Sequence, residues 1–398
     1  MPRTTLRILF ASPAWWPAVA FGGPVWVGRE LTARLAARGH KVEVLTTGLF
    51  DVGQPPQRRT RVDAVAGARV RYLGTPLRYR WMGITPSLPL VLAGLERPDV
   101  VHVFGFRDVV TTVVAGWARI RGIPYVFEPL GMFKPRLRKV RFKRVFDATV
   151  ARGVASGAAA IVVSSPLERE DVVASGAPAE RVHVRGNGFP EPVARPGGDG
   201  VRRQLAVPAG APLVLYVGRI AAGKGIELLL RAARELPHVH LVLAGPDDRH
   251  GVSELVRTAQ GDPATAGRVH VLTPTGERPL DLYREADVVA LPSAGESFGM
   301  AVAEAAAAGT PVIVSDRCGV ASFFADGEAL VIPYEQAALT DALRRVASEP
   351  ELRRSLAEGG RAAARRTSWE RVTDVQEELY RAAVASRTAE TKVSTPGS

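Results

Sequence analysis

Cysteine is almost missing from this sequence. Cys318 stands alone, which excludes an internal disulfide and any cysteine-ligated metal cluster and points to a reducing compartment, the cytoplasm. Long apolar runs are missing too: none reaches the roughly 18 residues that a membrane-spanning helix needs. The first apolar run, in MPRTTLRILFASPAWWP, stops at Pro13 without an A-x-A-like cleavage site and reads as a first β-strand rather than a leader. Negative charge is in short supply, with 40 Asp and Glu against 52 Lys and Arg and a formal net charge of +12. Such a balance suits polyanions, whether nucleic acid, anionic lipid or phosphorylated substrates, and does not choose among them. No recognised nucleic-acid module or aromatic-basic motif accompanies the charge, so no nucleic-acid partner is expected. No Asp-x-Asp pair occurs anywhere, so the commonest carboxylate grip on a diphosphate-bound metal is absent and no metal is expected.

What is present is length, apolar content and alternation. The 398 residues, 46% hydrophobic, suffice for two domains with separate cores. LRILFAS, the helical PVWVGRELTARLAARG and KVEVLTT form one strand–helix–strand unit, and the plan recurs around PLVLYVG, IELLLRAARELP and VHLVLAG, then around DVVALPS, MAVAEAAAA and PVIVSD. The alternation predicts an α/β protein with parallel sheets covered on both faces. The Pro- and Gly-rich stretch 189–211 reads as a linker between an N-terminal domain (1–188) and a C-terminal one (212–366). A helix over 367–385, capped by Thr367 or Ser368, follows and can cross back to the N-terminal domain; the polar tail 386–398 is expected to be disordered.

Ligands of such sheets bind where strands hand over to helices, because backbone amides and the helix dipole there favour anions. The first such loop, SPAWWPAVAFGGP, carries Gly22 and Gly23, small enough for close approach of a ligand. The second, GRIAAGKGI, spells G-x-x-x-x-G-K from Gly218 to Lys224, but Gly225 stands where a phosphate loop needs Ser or Thr for magnesium. Arg219 and Lys224 remain as two fixed cations suited to a leaving diphosphate. The third, AGESFG, delivers Glu296 to a loop and Glu304 to the following helix, with the Gly299 and Met300 amides at the helix start. Two carboxylates flanking such a phosphate site suit the vicinal hydroxyls of a sugar and a ribose.

With these residues in view, the sequence resembles the retaining, nucleotide-sugar-dependent glycosyltransferases of family 4. The resemblance rests on E-x7-E (Glu296 to Glu304 in GESFGMAVAEAAAAGTPVIVSD), on GRIAAGKGIELLLRAA, on the N-terminal GGP-helix-ARGHKVEVLT segment and on PYVFEPLGMFKP. It implies a GT-B fold, two Rossmann-like doubly wound domains facing a central cleft. It implies a nucleotide-diphosphate sugar as substrate, with no separate cofactor, and a glycan or lipid-linked acceptor in surface polysaccharide or glycolipid synthesis. On that basis Glu296, Arg219, Lys224 and His102 are the expected catalytic residues. Gly22, Gly23, Arg219, Lys224, Glu296, Phe298, Gly299, Met300 and Glu304 are expected to hold the donor.

Two positions depart from the family pattern. Relatives often carry H-x-H where this sequence has His102 and Phe104, and Thr or Ser where it has Glu128. His102 reads equally as a hydrogen-bonded core residue, and Glu128 as an acceptor ligand or an ordinary ion-pair member. A further expectation concerns KPRLRKVRFKR, Lys134 to Arg144, where seven of eleven residues are basic; it reads as a basic amphipathic helix for an anionic membrane surface, placing the enzyme peripherally at the inner face of the cell membrane. Competing readings are another GT-B enzyme, such as an epimerase or phosphorylase, and a non-catalytic basic nucleic-acid-binding protein.

Overall fold

The strand Arg7–Ala11 is buried over all but its first residue, which is what a strand covered by helices on both faces requires. In the computed structural model, which describes residues 5–51, 53–133, 152–191, 200–247, 251–273 and 280–393, strands of this kind build two separate sheets. Unit 1 comprises Met1–Gly186 and Trp369–Ser398, and unit 2 comprises Asn187–Ser368.

Unit 1 contains β1 (Arg7–Ala11), β2 (Lys41–Thr47), β3 (Arg61–Val65), β4 (Ala68–Leu73), β5 (Leu77–Tyr79), β6 (Met82–Ile84), β7 (Val100–Phe104), β8 (Tyr125–Glu128), β9 (Ala160–Val163) and β10 (Val182–Val184). β5 and β6 form a separate antiparallel hairpin, and the other eight make a sheet in the order β10-β9-β8-β7-β1-β2-β4-β3, parallel except for the β3–β4 pair. β1 lies at the switch of direction, with Ile8 in register with Val42 of β2 on one side and Val100 of β7 on the other.

Unit 2 is wholly parallel. Its strands β11 (Leu213–Val217), β12 (His240–Ala244), β13 (Val269–Leu272), β14 (Val288–Leu291), β15 (Val312–Ser315) and β16 (Leu330–Ile332) run in the order β13-β12-β11-β14-β15-β16. Here the switch falls between β11 and β14, since Val214 pairs with Leu241 of β12 and Val288 of β14. In open α/β sheets the loops leaving the two strands at such a switch are where ligands bind.

The Ala-rich helix Met300–Ala308 shows why that segment needs small residues. Six of its nine residues are buried, and the helix Pro350–Arg366 crosses so closely that a Cβ on Gly360 would lie 3.3 Å from the Cα of Ala306. A larger side chain at Ala306 would overpack this contact at a cost of about 1–3 kcal/mol.

Two segment readings are corrected. The stretch 189–211 is not a free linker where it is described: Phe189 is 1% exposed and donates its amide to the Thr367 carbonyl, and Gly200–Gln204 is a short helix whose Arg202 pairs with Asp287. A buried aromatic outweighed the Pro and Gly content. Likewise Ser386–Val393 is not disordered; the C-terminal helix runs unbroken over Trp369–Val393, in keeping with the good helix formers Ala389, Glu390 and Lys392. That helix docks on unit 1, where Arg38 pairs with Glu370 and Asp374, and His40 meets Glu377 at 2.6 Å.

Candidate active site

Unit 2 assembles its site from the two loops at the β11/β14 switch. β11 ends at Val217, and Gly218–Gly225 leads into the helix Ile226–Glu235; β14 ends at Leu291, and Pro292–Gly299 leads into the helix Met300–Ala308. The loops touch. Ala294 donates its amide to the Gly223 carbonyl at 2.9 Å, and a Cβ on Gly225 would lie 1.9 Å from the Pro292 carbonyl oxygen. Gly225 is therefore dictated by contact with the second loop: no side chain fits where a phosphate loop would carry its magnesium-binding hydroxyl.

Across this contact Lys224 Nζ donates to Glu296 Oε2, joining the two sequence-predicted charges, each about four-fifths to three-quarters buried with exposures of 19% and 25%. Backbone bonds hold Glu296 in place, its amide donating to the Arg317 carbonyl at 3.1 Å and its carbonyl accepting from Gly319 at 3.0 Å. Arg219 lies in the same glycine loop with an exposed side chain. Its carbonyl is fixed by the buried Tyr216 hydroxyl at 2.7 Å, and burial drives that phenol's pKa up. Both helices begin at a left-handed glycine, Gly225 and Gly299, and neither first turn is capped by a side chain. Their leading amides are thus donors to be met by a ligand or by water. By contrast, Asp108 and Ser165 cap two unit 1 helices with their own oxygens.

Glu304 lies inside the helix, half-buried, and accepts a hydrogen bond from the Tyr283 hydroxyl at 2.8 Å. Tyr283, fully buried on the helix Leu280–Glu285, is the polar partner that a carboxylate among alanines requires. Sequence reasoning missed it, because a single hydroxyl in an apolar stretch carries no spacing signal toward a residue 21 positions away. Cys318 also sits beneath the site; burial, with the neighbouring Glu296 charge, pushes its thiol up to about 12.

The remaining expected donor ligands lie on the elements the sequence assigned them to. The Phe298 side chain is 4% exposed and packs edge-on against Phe189 and Phe323, so it is a core anchor of the loop. Gly22 and Gly23 are in unit 1, where Gly22 precedes the helix Gly23–Ala37 after β1, again without a side-chain cap.

His102 is corrected as a catalytic residue. Its side chain is fully buried on β7 and stacked on Phe10 at 4.4 Å, with Nδ1 2.6 Å from the Tyr380 hydroxyl and Nε2 3.1 Å from Glu128. Glu128 in turn accepts two 2.8 Å bonds from Arg185, so it is an internal ion-pair member and not an acceptor ligand. Burial lowers the pKa of His102. For Glu128 burial pushes the other way, but Arg185 and His102 together hold the carboxyl below its ordinary range. Phe104 packs in the same core against Phe10 and Trp15. The basic stretch Lys134–Arg144 lies outside the described residues; among the described ones no helix is long and apolar enough to cross a membrane.

Two family models match the sequence: a glycosyl transferase 4-like domain over residues 22–188 and glycosyl transferases group 1 over residues 199–363. The sequence is 32% identical over 426 residues to a D-inositol 3-phosphate glycosyltransferase from Xylanimonas cellulosilytica, covering 98% of each chain. The chain belongs to the family 4-type glycosyltransferases. A D-inositol 3-phosphate glycosyltransferase from Saccharomonospora viridis is 31% identical over 428 residues, covering 96% of this glycosyltransferase and 95% of the relative. Among solved structures, sucrose-phosphate synthase from Thermosynechococcus elongatus matches with a TM-score of 0.74 at 25% identity, over 96% of this chain and 100% of that one. HepE from Anabaena, solved with UDP and glucose, matches with a TM-score of 0.72 at 18% identity, over 98% and 100%. The fold of this glycosyltransferase is GT-B, with two Rossmann-like domains.

Proposed function

We propose that the enzyme is a retaining glycosyltransferase that binds the diphosphate of a nucleotide sugar on unit 2 and transfers the sugar to an acceptor hydroxyl. The observation that carries this reading is the placement of Lys224 and Glu296 across the β11/β14 switch, beside two helix starts without side-chain caps. In the proposed reaction the bond from the anomeric carbon to the diphosphate oxygen breaks as the acceptor oxygen bonds to the same face. The acceptor proton passes to the departing phosphate oxygen, and Lys224 and Arg219 offset the charge that develops there. Glu296 faces sugar hydroxyls and Glu304 the ribose. No carboxylate metal grip is needed, in line with the missing Asp-x-Asp.

The acceptor is a glycan or a lipid-linked acceptor of surface polysaccharide or glycolipid synthesis; the names of the two curated relatives add inositol phosphate to the acceptors to be tried. The basic stretch Lys134–Arg144 supports delivery to an anionic membrane, which co-sedimentation with anionic against neutral vesicles checks. The reading as a transferase is tested by a thermal-shift screen over UDP, GDP, ADP and their sugars, followed by incubation of the stabilising donor with acceptors and NMR of the product's anomeric configuration. Inversion at the anomeric carbon, or epimerised donor with no transfer, would overturn it.

A further inference from the structure

The hairpin β5–β6 forms its own small sheet, and its two faces differ. Leu77 is in register with Ile84 and Tyr79 with Met82, while Arg78 is in register with Gly83. Side chains alternate across a strand, so the two apolar pairs share one face and the Arg78–Gly83 pair takes the other. Gly83 shows which face looks inward: it is buried, and a Cβ there would lie 2.9 Å from Thr47 Cβ and from Thr75 Cγ2. The apolar face therefore looks outward. Leu77 is 63% exposed and Tyr79 58%, with Met82 and Ile84 part-exposed beside them. The next element in the chain, the helix Leu88–Ala93, buries Leu88 and Leu92 and turns Leu90 away from the core, 79% exposed.

The tip of the hairpin is Arg80-Trp81. Arg80 is exposed with a φ of 58°, a left-handed conformation that a hairpin turn ordinarily gives to Gly, Asn or Asp. A cation and a partly exposed indole thus occupy the turn against the local backbone preference, which puts the reason for them outside the hairpin. Acids are missing from this part of the chain. None occurs between Asp63 and Glu96, and those two are paired with Arg61 and Arg7.

We propose that the outward face and tip of β5–β6, together with Leu90, dock on an anionic lipid bilayer, with Leu77, Tyr79 and Leu90 entering the interface and Arg80 meeting lipid phosphates. Exposed leucines gain by leaving water, Tyr and Trp suit a boundary with one apolar and one wet side, and a basic tip in an acid-free segment matches a negative surface. The proposal rests on the reading that the enzyme works at such a membrane, and it names a surface of unit 1 separate from Lys134–Arg144.

The test compares pelleting of the full chain with vesicles of phosphatidylcholine alone and of phosphatidylcholine with phosphatidylglycerol in equal parts. The wild type is expected to pellet with the mixed vesicles. Leu77→Ser with Leu90→Ser should weaken that binding on the order of tenfold with an unchanged unfolding temperature, since neither side chain belongs to the core. A nitrobenzoxadiazole label on Tyr79→Cys should shift its emission to the blue on the mixed vesicles; Cys318, fully buried, escapes labelling. A variant with Arg138, Lys139, Arg141 and Lys143 all changed to Gln separates the two surfaces. If that variant loses binding while the leucine variant keeps it and the label does not shift, the membrane reading stands and the hairpin proposal falls. If the wild type pellets with neither vesicle, both fall. Leucine changes that alter the oligomer size in sedimentation velocity and leave vesicle binding intact would assign the face to a second copy of the chain and overturn the proposal as well.

Discussion

Lys224 and Glu296, 72 positions apart, are bonded to each other across the two loops at the β11/β14 switch. In the proposed reaction a diphosphate arriving at the glycine loop would compete with Glu296 for the ammonium group, and the displaced carboxylate would be released toward the sugar. This coupling predicts a loss of kcat from either side of the bond. Lys224→Ala should cost on the order of tenfold to a thousandfold in kcat, as loss of one preorganised charge-stabilising group does. Glu296→Gln should lower kcat without raising KM for the donor, because it frees Lys224 while removing a sugar contact. Steady-state kinetics with the identified donor decide; wild-type values for both variants would remove these residues from the site.

The Tyr283–Glu304 bond predicts a graded loss of donor affinity. Glu304→Ala removes the proposed ribose ligand outright, whereas Tyr283→Phe leaves the carboxylate but not the hydroxyl that orients it. One hydrogen bond of this kind is worth about 0.5–1.5 kcal/mol net, so Tyr283→Phe should weaken donor binding several-fold at most and Glu304→Ala by more. Calorimetric titration with the donor reads both, and an unaltered affinity in Glu304→Ala would sink the ribose assignment.

Transfer should survive a chelator. The motif reasons are in the sequence: there is no Asp-x-Asp pair, and Gly225 is locked by the Pro292 carbonyl where a metal-binding hydroxyl would stand. Loss of activity in EDTA, with rescue by magnesium or manganese, would show that a divalent ion assists the leaving group instead of Arg219 and Lys224.

Much of unit 2 was legible because local patterns fix it. Runs such as LVLYV and VVAL are apolar on both faces, and each is followed by a glycine loop and a periodic helix, so the loops carrying Lys224 and Glu296 could be placed from spacing alone. What was not legible depends on contacts between distant segments. Nothing local distinguishes Phe298 as a core anchor from a ligand, since its fate is set by Phe189 and Phe323. His102 was a catalytic candidate through the family pattern alone; the neighbours that hold it in the core, Tyr380, Arg185 and Glu128, are 278, 83 and 26 positions away. The linker likewise concealed a buried aromatic that pairs with the chain at Thr367.

The buried cluster of His102, Glu128 and Arg185 makes a prediction about acid stability. His102 has its pKa lowered from 6.5 by burial, so the unfolded chain takes up a proton near that pH while the folded one resists it, and stability falls as pH drops through 6.5. Glu128, held below 4.5 by Arg185 and His102 against the effect of burial, adds stability above the ordinary carboxylate range that is lost at lower pH. Both act in the same direction, with His102 dominating between pH 7 and 5. Urea unfolding at pH 7.5 and 5.5 should give a lower midpoint at the acid value, with a smaller difference in His102→Gln. At neutral pH, Glu128→Gln should cost about 3–5 kcal/mol, because it leaves Arg185 buried without its carboxylate. The double change Glu128→Gln with Arg185→Met should cost less than the sum of its parts, as a cycle through the single variants measures. Additive losses, or a pH response that is the same in His102→Gln as in the wild type, would show that the cluster does not act as a coupled unit.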